Sequence, residues 1–315
     1  MIKTELASYL GNADCAILRL PSMLGLFSLQ ICKEKNIPYL IEVVGDAFDS
    51  YYNYGSIIGR IAAPIYDFLN KKAILKSRYT LYVTQEYLQK RYPSSIGGKS
   101  IGITDAVIYP IPEEILQKRL DKINRFSSNS VKCGQIGNVS VRYKGYHIML
   151  KALAILKRNG IFPSYHIVGG GEPSELLSEA RKLGVEEMVV VRGKLSHEEV
   201  ESFLDEIDIY VHPSFQEGLP RVVVEAISRA CPCLTSNVAG TPELLNAKCL
   251  HNCGDYKKLA QDLRRMIMNR DEMKEVAIEN YNHAKEYYYP KLESERRAFF
   301  ESFFSSVKNE RSFIK

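Results

Sequence analysis

No apolar run in this 315-residue chain approaches the ~20 residues that a membrane-spanning helix needs. The opening Met1-Ile2-Lys3-Thr4-Glu5 is no signal peptide. Together these two absences predict a cytoplasmic protein. No Asp-x-Asp element suggests a metal site. The Gly-x-Gly-x-x-Gly pattern with an acid about twenty residues on is missing too, which disfavours a Rossmann dehydrogenase. Cysteine is present but odd in number: seven residues, at 15, 32, 133, 231, 233, 249 and 253, in a chain without an export signal, read as reduced thiols. Cys231/Cys233 with Cys249/Cys253 allow a zinc reading, against which Cys231-Pro232-Cys233-Leu234-Thr235 reads as a buried strand.

The composition is globular, 45% hydrophobic and 25% charged, and the length suits two domains. From Lys132 onward, short apolar runs alternate with helical patterns, the signature of a parallel sheet with helices on both faces. The predicted strands are Lys132–Gly137, Tyr165–Val168, Met188–Val191, Asp208–Val211, Pro232–Thr235 and Lys248–His251. Between them Ser196 and Glu199 form a capping box, Thr241-Pro242-Glu243 reads as another helix start, and Gly160 and Gly184 read as C-caps. The first half repeats this logic with strands Cys15–Leu20, Tyr39–Val44, Thr80–Val83 and Ala106–Tyr109, and helices near Leu24–Lys35 and Ile57–Lys76. The polar, nonperiodic stretch Asp121–Ser130, with Ser127, Ser128, Asn129 and Ser130, reads as the linker.

Charge is uneven. Through Arg125 there are sixteen Lys and Arg against twelve Asp and Glu, which accounts for four of the net charge of +5. The densest cluster, Lys71, Lys72, Lys76 and Arg78, suits docking on anionic lipid or an ordinary solvated helix face.

The tightest functional signal is His212-Pro213-Ser214-Phe215-Gln216-Glu217-Gly218-Leu219-Pro220-Arg221-Val222-Val223-Val224-Glu225-Ala226. Gly218 permits a turn, and Pro220 is pre-set for the first helical position. Glu217 is therefore on a loop, and Glu225 is inside a helix roughly two turns from its tip. A helix tip offers unpaired N–H groups and partial positive charge, a seat for phosphate. Carboxylates flanking that seat accept hydrogen bonds from hydroxyls. The natural ligand with hydroxyls on both sides of a diphosphate is a nucleotide sugar. The competing reading is a solvated helix face that happens to carry two glutamates.

This segment resembles the donor-site motif of the retaining glycosyltransferases of family 4 (glycosyl transferases group 1), and the resemblance extends from about Val131 to Tyr289. It implies an α/β fold of GT-B type: two Rossmann-like domains, the N-terminal one short or truncated. It places a partial acceptor-binding domain at 1–126, a nucleotide-sugar donor domain at 127–290 and a C-terminal helix at 291–315 packing back on the first domain. Phe299, Phe300, Phe303, Phe304 and Val307, at helical spacing, are compatible with that helix or with a dimer contact.

By resemblance, Glu225 holds the ribose hydroxyls and Glu217 faces the transferred sugar. Four strand-end loops complete the site. Gly137-Asn138 leads to Arg142 and to Lys144-Gly145, where Lys144 is placed to contact the diphosphate; the family usually has arginine where Asn138 stands, and Arg142 is a candidate replacement. Gly169-Gly170-Gly171-Glu172 matches the family's glycine turn. Arg192-Gly193-Lys194-Leu195 corresponds to the segment whose backbone reads the base. His212-Pro213-Ser214 brings Ser214 as a phosphate-binding or loop-stabilising hydroxyl, and Gly218, Leu219 and Pro220 form the helix tip. The implied reaction is sugar transfer with retained configuration by a nucleotide-sugar-dependent enzyme of hexosyltransferase type, without metal or other cofactor and without a dedicated base.

The glycine-bearing loop after the family's first strand is absent, so the first domain reads as a natural short form, as completed by a partner chain, or as truncated. Where many relatives carry a histidine near the donor sugar, Val44 or Gly45 stands. Asp46 and Asp49 are nearby polar candidates for the acceptor side, and Tyr51, Tyr52 and Tyr54 can stack on an acceptor sugar or simply pack. The expected partners are a nucleotide sugar and a glycan or lipid-linked acceptor, with peripheral membrane contact and oligomer formation as further options and no nucleic acid. The setting implied is bacterial surface polysaccharide biosynthesis. The alternative is a noncatalytic nucleotide-sugar-binding protein or a partner subunit.

Overall fold

The computed structural model describes residues 2–53, 55–127 and 130–312; Tyr54, Ser128 and Asn129 lie outside the described residues, as do Met1 and 313–315. The chain divides into two compact units. One comprises Met1–Asp105, Glu217–Leu219 and Pro290–Lys315, the other Ala106–Gln216 and Pro220–Tyr289.

The first unit contains α1 (Ile2–Gly11), β1 (Ala16–Leu20), α2 (Met23–Glu34), β2 (Tyr39–Val43), α3 (Ala47–Tyr52), α4 (Ile57–Ile74), β3 (Tyr79–Tyr82), α5 (Tyr87–Arg91) and β4 (Lys99–Gly102). The strands form a parallel sheet in chain order, with Leu20, Val43, Tyr82 and Gly102 in register at their carboxyl ends. Leu40, Ile41, Val43 and Leu81 are buried, as central strands of a sheet covered on both faces require.

Lys99–Gly102, not the expected Ala106–Tyr109, is the fourth strand. Of the latter segment only Ile108 pairs, in an isolated bridge with Tyr288. Pro110 and Pro112 remove backbone donors just beyond it. The true edge strand is polar and half-exposed, so hydrophobic patterning passes over it.

The second unit contains α6 (Glu113–Asn124), β5 (Lys132–Ile136), α7 (Tyr146–Arg158), β6 (Ser164–Val168), α8 (Ser174–Lys182), β7 (Val189–Gly193), α9 (His197–Glu206), β8 (Ile209–His212), α10 (Arg221–Ser228), β9 (Cys233–Ser236), β10 (Leu250–His251), α11 (Tyr256–Met268) and α12 (Arg270–Ala284). Its six strands are parallel in the order β10-β9-β8-β5-β6-β7. All six predicted strands are present within one or two residues. The Ser196–Glu199 capping box forms at α9, and Gly160 and Gly184 follow α7 and α8 with φ +74° and +67°. Thr241-Pro242-Glu243 makes a single 3-10 turn capped by Gly240, not the start of a longer helix.

The stretch expected to be a linker begins inside α6. This helix buries only Arg119 and Ile123, so no apolar stripe announces it. It docks by charge: Arg119 donates to the Ile207 and Leu204 carbonyls at 2.6 Å each, and Lys122 donates to Ile207 O at 2.8 Å. Cations capping the orphan carbonyls at the end of α9 satisfy both the hydrogen bonds and the helix dipole. The two compact units divide at Asp105/Ala106.

The last helix, α13 (Tyr289–Ser312), belongs to the first unit from Pro290 on. There Phe299, Phe303 and Val307 pack with Leu40 and Leu81 in one buried cluster, and Tyr79 meets Phe303 edge-on at 5.2 Å.

Candidate functional site

In open parallel sheets ligands bind outside the carboxyl ends of the strands, and in the second unit those ends carry the glycines. The Gly137 N–H donates to Val168 O and the Gly169 N–H to Gly193 O, each at 2.8 Å, so three glycines follow one another across β5, β6 and β7. Over Gly137 lies the stem of Lys144, whose carbons come within 3.6 Å of where a side chain on that glycine would start. Lys144 is the last residue of a 3-10 turn, and its carbonyl is held by Gln135 Nε2 at 2.8 Å. Lys194, which was not singled out from sequence, lies across Gly170 in the same way.

Asn138, standing where arginine was expected, folds inward: its Oδ1 accepts from the Ser140 N–H at 2.9 Å and so shapes the loop. Arg142 is exposed, with its guanidinium 3.9 Å from Glu179 of α8. Gly145 has φ +75°, and a Cβ there would sit 1.8 Å from the Pro213 carbonyl oxygen, so no other residue type fits between the two loops. Ser214 is buried, donates to the Tyr143 and Gln216 carbonyls at 3.2 and 3.0 Å, and stabilises the loop. Phe215 stacks on His147 at 5.6 Å. Burial, with Arg142 and Lys151 nearby, pushes the His147 imidazole down to about 4.

Pro220 caps α10 and Arg221 is its first residue. Glu225 is thus the fifth helical residue, about one turn in, where two were expected from counting at Gly218. Gly218 has no left-handed backbone. In the first unit, to which Glu217–Leu219 belong, a Cβ on it would lie 2.2 Å from Val44 O, so close approach is what demands glycine. Leu219 is buried.

Glu225 is half-buried, and among the described residues no side chain or N–H bonds its carboxylate. Burial pushes its affinity for a proton up, against the pull of His197 and Arg221. It lines a cavity of about 240 Å³ with Tyr109, His197, Glu201, Ser228 and Arg229. Sequence reasoning missed these five, because they come from α9, the end of α10 and a strandless segment with no shared spacing. Arg192, by contrast, spends its side chain on Glu206 at 2.6 and 2.7 Å and on His166; Leu195 is half-buried.

In the first unit Asp46, a candidate for the acceptor side, is the hub of a hydrogen-bonded cluster. It is 2% exposed, caps α3 through the Asp49 N–H, and binds Arg91 Nε at 2.9 Å, Tyr92 Oη at 3.0 Å and Tyr87 Oη at 3.2 Å. Burial alone would raise this carboxyl; the Arg91 and Tyr92 bonds and the Asp49 N–H bring it below the usual range. Burial and the Asp46 charge push Asp49 the other way, up to about 6. Tyr51 stacks on Tyr66 at 4.0 Å. Among the described residues no cluster of three or more His, Cys, Asp or Glu is placed to hold a metal ion, and no two cysteines are joined in a disulfide.

The glycine-edged parallel sheets and the motif at α10 are those of a GT-B glycosyltransferase. Residues 117–283 match the family model for glycosyl transferases group 1, and the chain belongs to that family. It is 33% identical to Protein CapJ of Staphylococcus aureus over 286 residues, covering 90% of this chain and 71% of CapJ. It is 31% identical over 149 residues to the amylovoran biosynthesis glycosyltransferase AmsK of Erwinia amylovora, covering 43% of this chain and 36% of AmsK. Among solved structures, Anabaena HepE in complex with UDP and glucose superposes with a TM-score of 0.71 at 16% identity, over 95% of this chain and 81% of HepE. That likeness concerns the fold.

Proposed function

We propose that this glycosyltransferase moves a hexosyl group from a nucleoside-diphosphate sugar to a glycan or lipid-linked acceptor, with retention of configuration, in the assembly of a bacterial capsular or exopolysaccharide. The observation that carries this reading is Glu225: a half-buried carboxylate one turn into α10, without a partner among the described residues, whose desolvation is offset when ribose hydroxyls donate to it. The tip of α10 at Pro220 and Arg221 and Lys144 over Gly137 receive the diphosphate, and Glu217 is assigned to the sugar by the resemblance. Stabilising the departing diphosphate is the main catalytic demand, and the leaving phosphate oxygen takes the acceptor proton. Arg142 adds charge in the same 3-10 turn as Lys144. The polysaccharide setting is supported by the name of AmsK, and the diphosphate donor by the UDP in the HepE structure.

The test is thermal shift against a panel of nucleotide sugars, followed by release of free nucleoside diphosphate with candidate acceptors. A shift that Glu225→Ala removes, together with acceptor-dependent release, is the expected result. Retained binding in that variant would misplace the donor site. Binding without turnover by any donor and acceptor would overturn transfer.

A further inference from the structure

The side of α4 turned away from the core is apolar where a solvated helix is polar. Its buried face is Ala63, Asp67, Asn70, Ala73 and Ile74. On the opposite face stand Ile57, Ile58, Ile61, Ile65 and Phe68, between 62% and 81% exposed. At 3.6 residues per turn these five form one stripe along the first two-thirds of the helix. Scattered exposed apolar residues are ordinary; five on one stripe mark a contact surface.

Where the stripe ends, α4 and α2 enclose an apolar groove of about 400 Å³, walled by residues such as Met23, Phe27, Tyr66 and Leu69. Lys33, Lys72 and Lys76 also line it, and none of the three makes an ion pair among the described residues; Glu34, the one acid there, is held by Gln30. Burial and the charges of Lys76 and Lys72 lower the proton affinity of Lys33, so three like charges stand together against the single carboxylate of Glu34.

We infer that this face of α2 and α4 seats the protein on an anionic phospholipid bilayer, with the isoleucine and phenylalanine stripe lying in the acyl boundary and Lys33, Lys72 and Lys76 meeting lipid phosphates. Charge complementarity selects this occupant over a second copy of the chain, since pairing two such faces would bring six lysines together. No helix among the described residues is long and apolar enough to cross a membrane, so α4 lies on the surface. This inference does not depend on which donor the second unit takes.

The test is flotation of the full chain with phosphatidylglycerol-containing vesicles and with pure phosphatidylcholine vesicles, alongside sedimentation without lipid. Strong binding to the anionic vesicles, weakened by salt, is expected. Lys72→Glu/Lys76→Glu lowers it by about 25-fold or more, two cations lost at roughly fivefold each. Ile61→Glu/Ile65→Glu abolishes it, and the milder Ile61→Ser/Ile65→Ser, whose folding is checked by an unchanged melting curve, lowers it in the same direction. Absence of flotation, stripe variants that bind like the parent, or a lipid-free dimer that the stripe variants dissociate would each overturn the proposal.

Discussion

Asp46 and Glu225 are both carboxylates of a helix that follows a parallel strand, Asp46 at the N-cap of α3 and Glu225 a turn inside α10, one in each unit, and they are used in opposite ways. Asp46 is 2% exposed and fully engaged by Arg91, Tyr92, Tyr87 and the Asp49 N–H. Glu225 is half-buried and without such partners among the described residues. Where a buried charge is satisfied internally it fixes the fold; where its hydrogen-bonding capacity is left open, the protein has retained a cost that a ligand removes.

The hub should break first. Arg91 joins Asp46 to Asp67, at 2.9 and 3.1 Å. Arg91→Ala should cost about 3 kcal/mol in urea denaturation, the low end for a buried pair because the guanidinium keeps some solvent contact. Asp46→Asn in that background should recover part of the loss. No recovery would mean the cluster is not held together by charge.

Gly145→Ala asks an L-residue to take φ +75° against the Pro213 carbonyl. A loss of about 2 kcal/mol is expected in the same assay, with weakened donor binding, because the loop carrying Lys144 must move. Unchanged binding would separate that loop from the site.

Glu225→Ala should do the reverse of Arg91→Ala. Stability should hold or rise, while calorimetric affinity for the donor falls by about 1.5–3 kcal/mol, the worth of hydrogen bonds to a charged group. A stability loss matching that of Arg91→Ala would erase the distinction between the two carboxylates.

The smallest effect belongs to Asp49, whose folded-state pKa lies near 6 through burial and Asp46. The folded state holds this proton more tightly than the unfolded state, so this group's contribution falls as pH rises from about 4 to 6. Asp49→Asn should therefore stabilise at pH 7 by about 1 kcal/mol, after allowance for solvent screening, and the gain should vanish below about pH 4. Melting curves of both proteins across that range check the sign.

Much of the second unit was legible because its central strands are buried on both faces and several strand ends carry glycines, so hydrophobic runs and turn residues agree. Ser196 with Glu199 named its own helix start. The polar elements were not legible: β4 is an edge strand without an apolar pattern, and α6 is fastened by Arg119 and Lys122 to carbonyls some 85 residues away in the chain. The strand-end glycines and the Glu217/Glu225 pair stood out by spacing, and Lys144 by resemblance alone. That Arg192 is bound to Glu206 and that Asn138 turns inward to Ser140 was not legible, since each depends on the neighbour the fold supplies.

By itself the sequence determined the parallel α/β architecture, the strand-end loops and the place of the glutamate pair, because local periodicity, turn chemistry and helix-start signals act over a few residues. Only the tertiary structure decided which carboxylate is spent and which is open, which arginine is available, and that α4 turns isoleucines outward. Those outcomes depend on burial and on partners distant in the chain, and no local pattern encodes them.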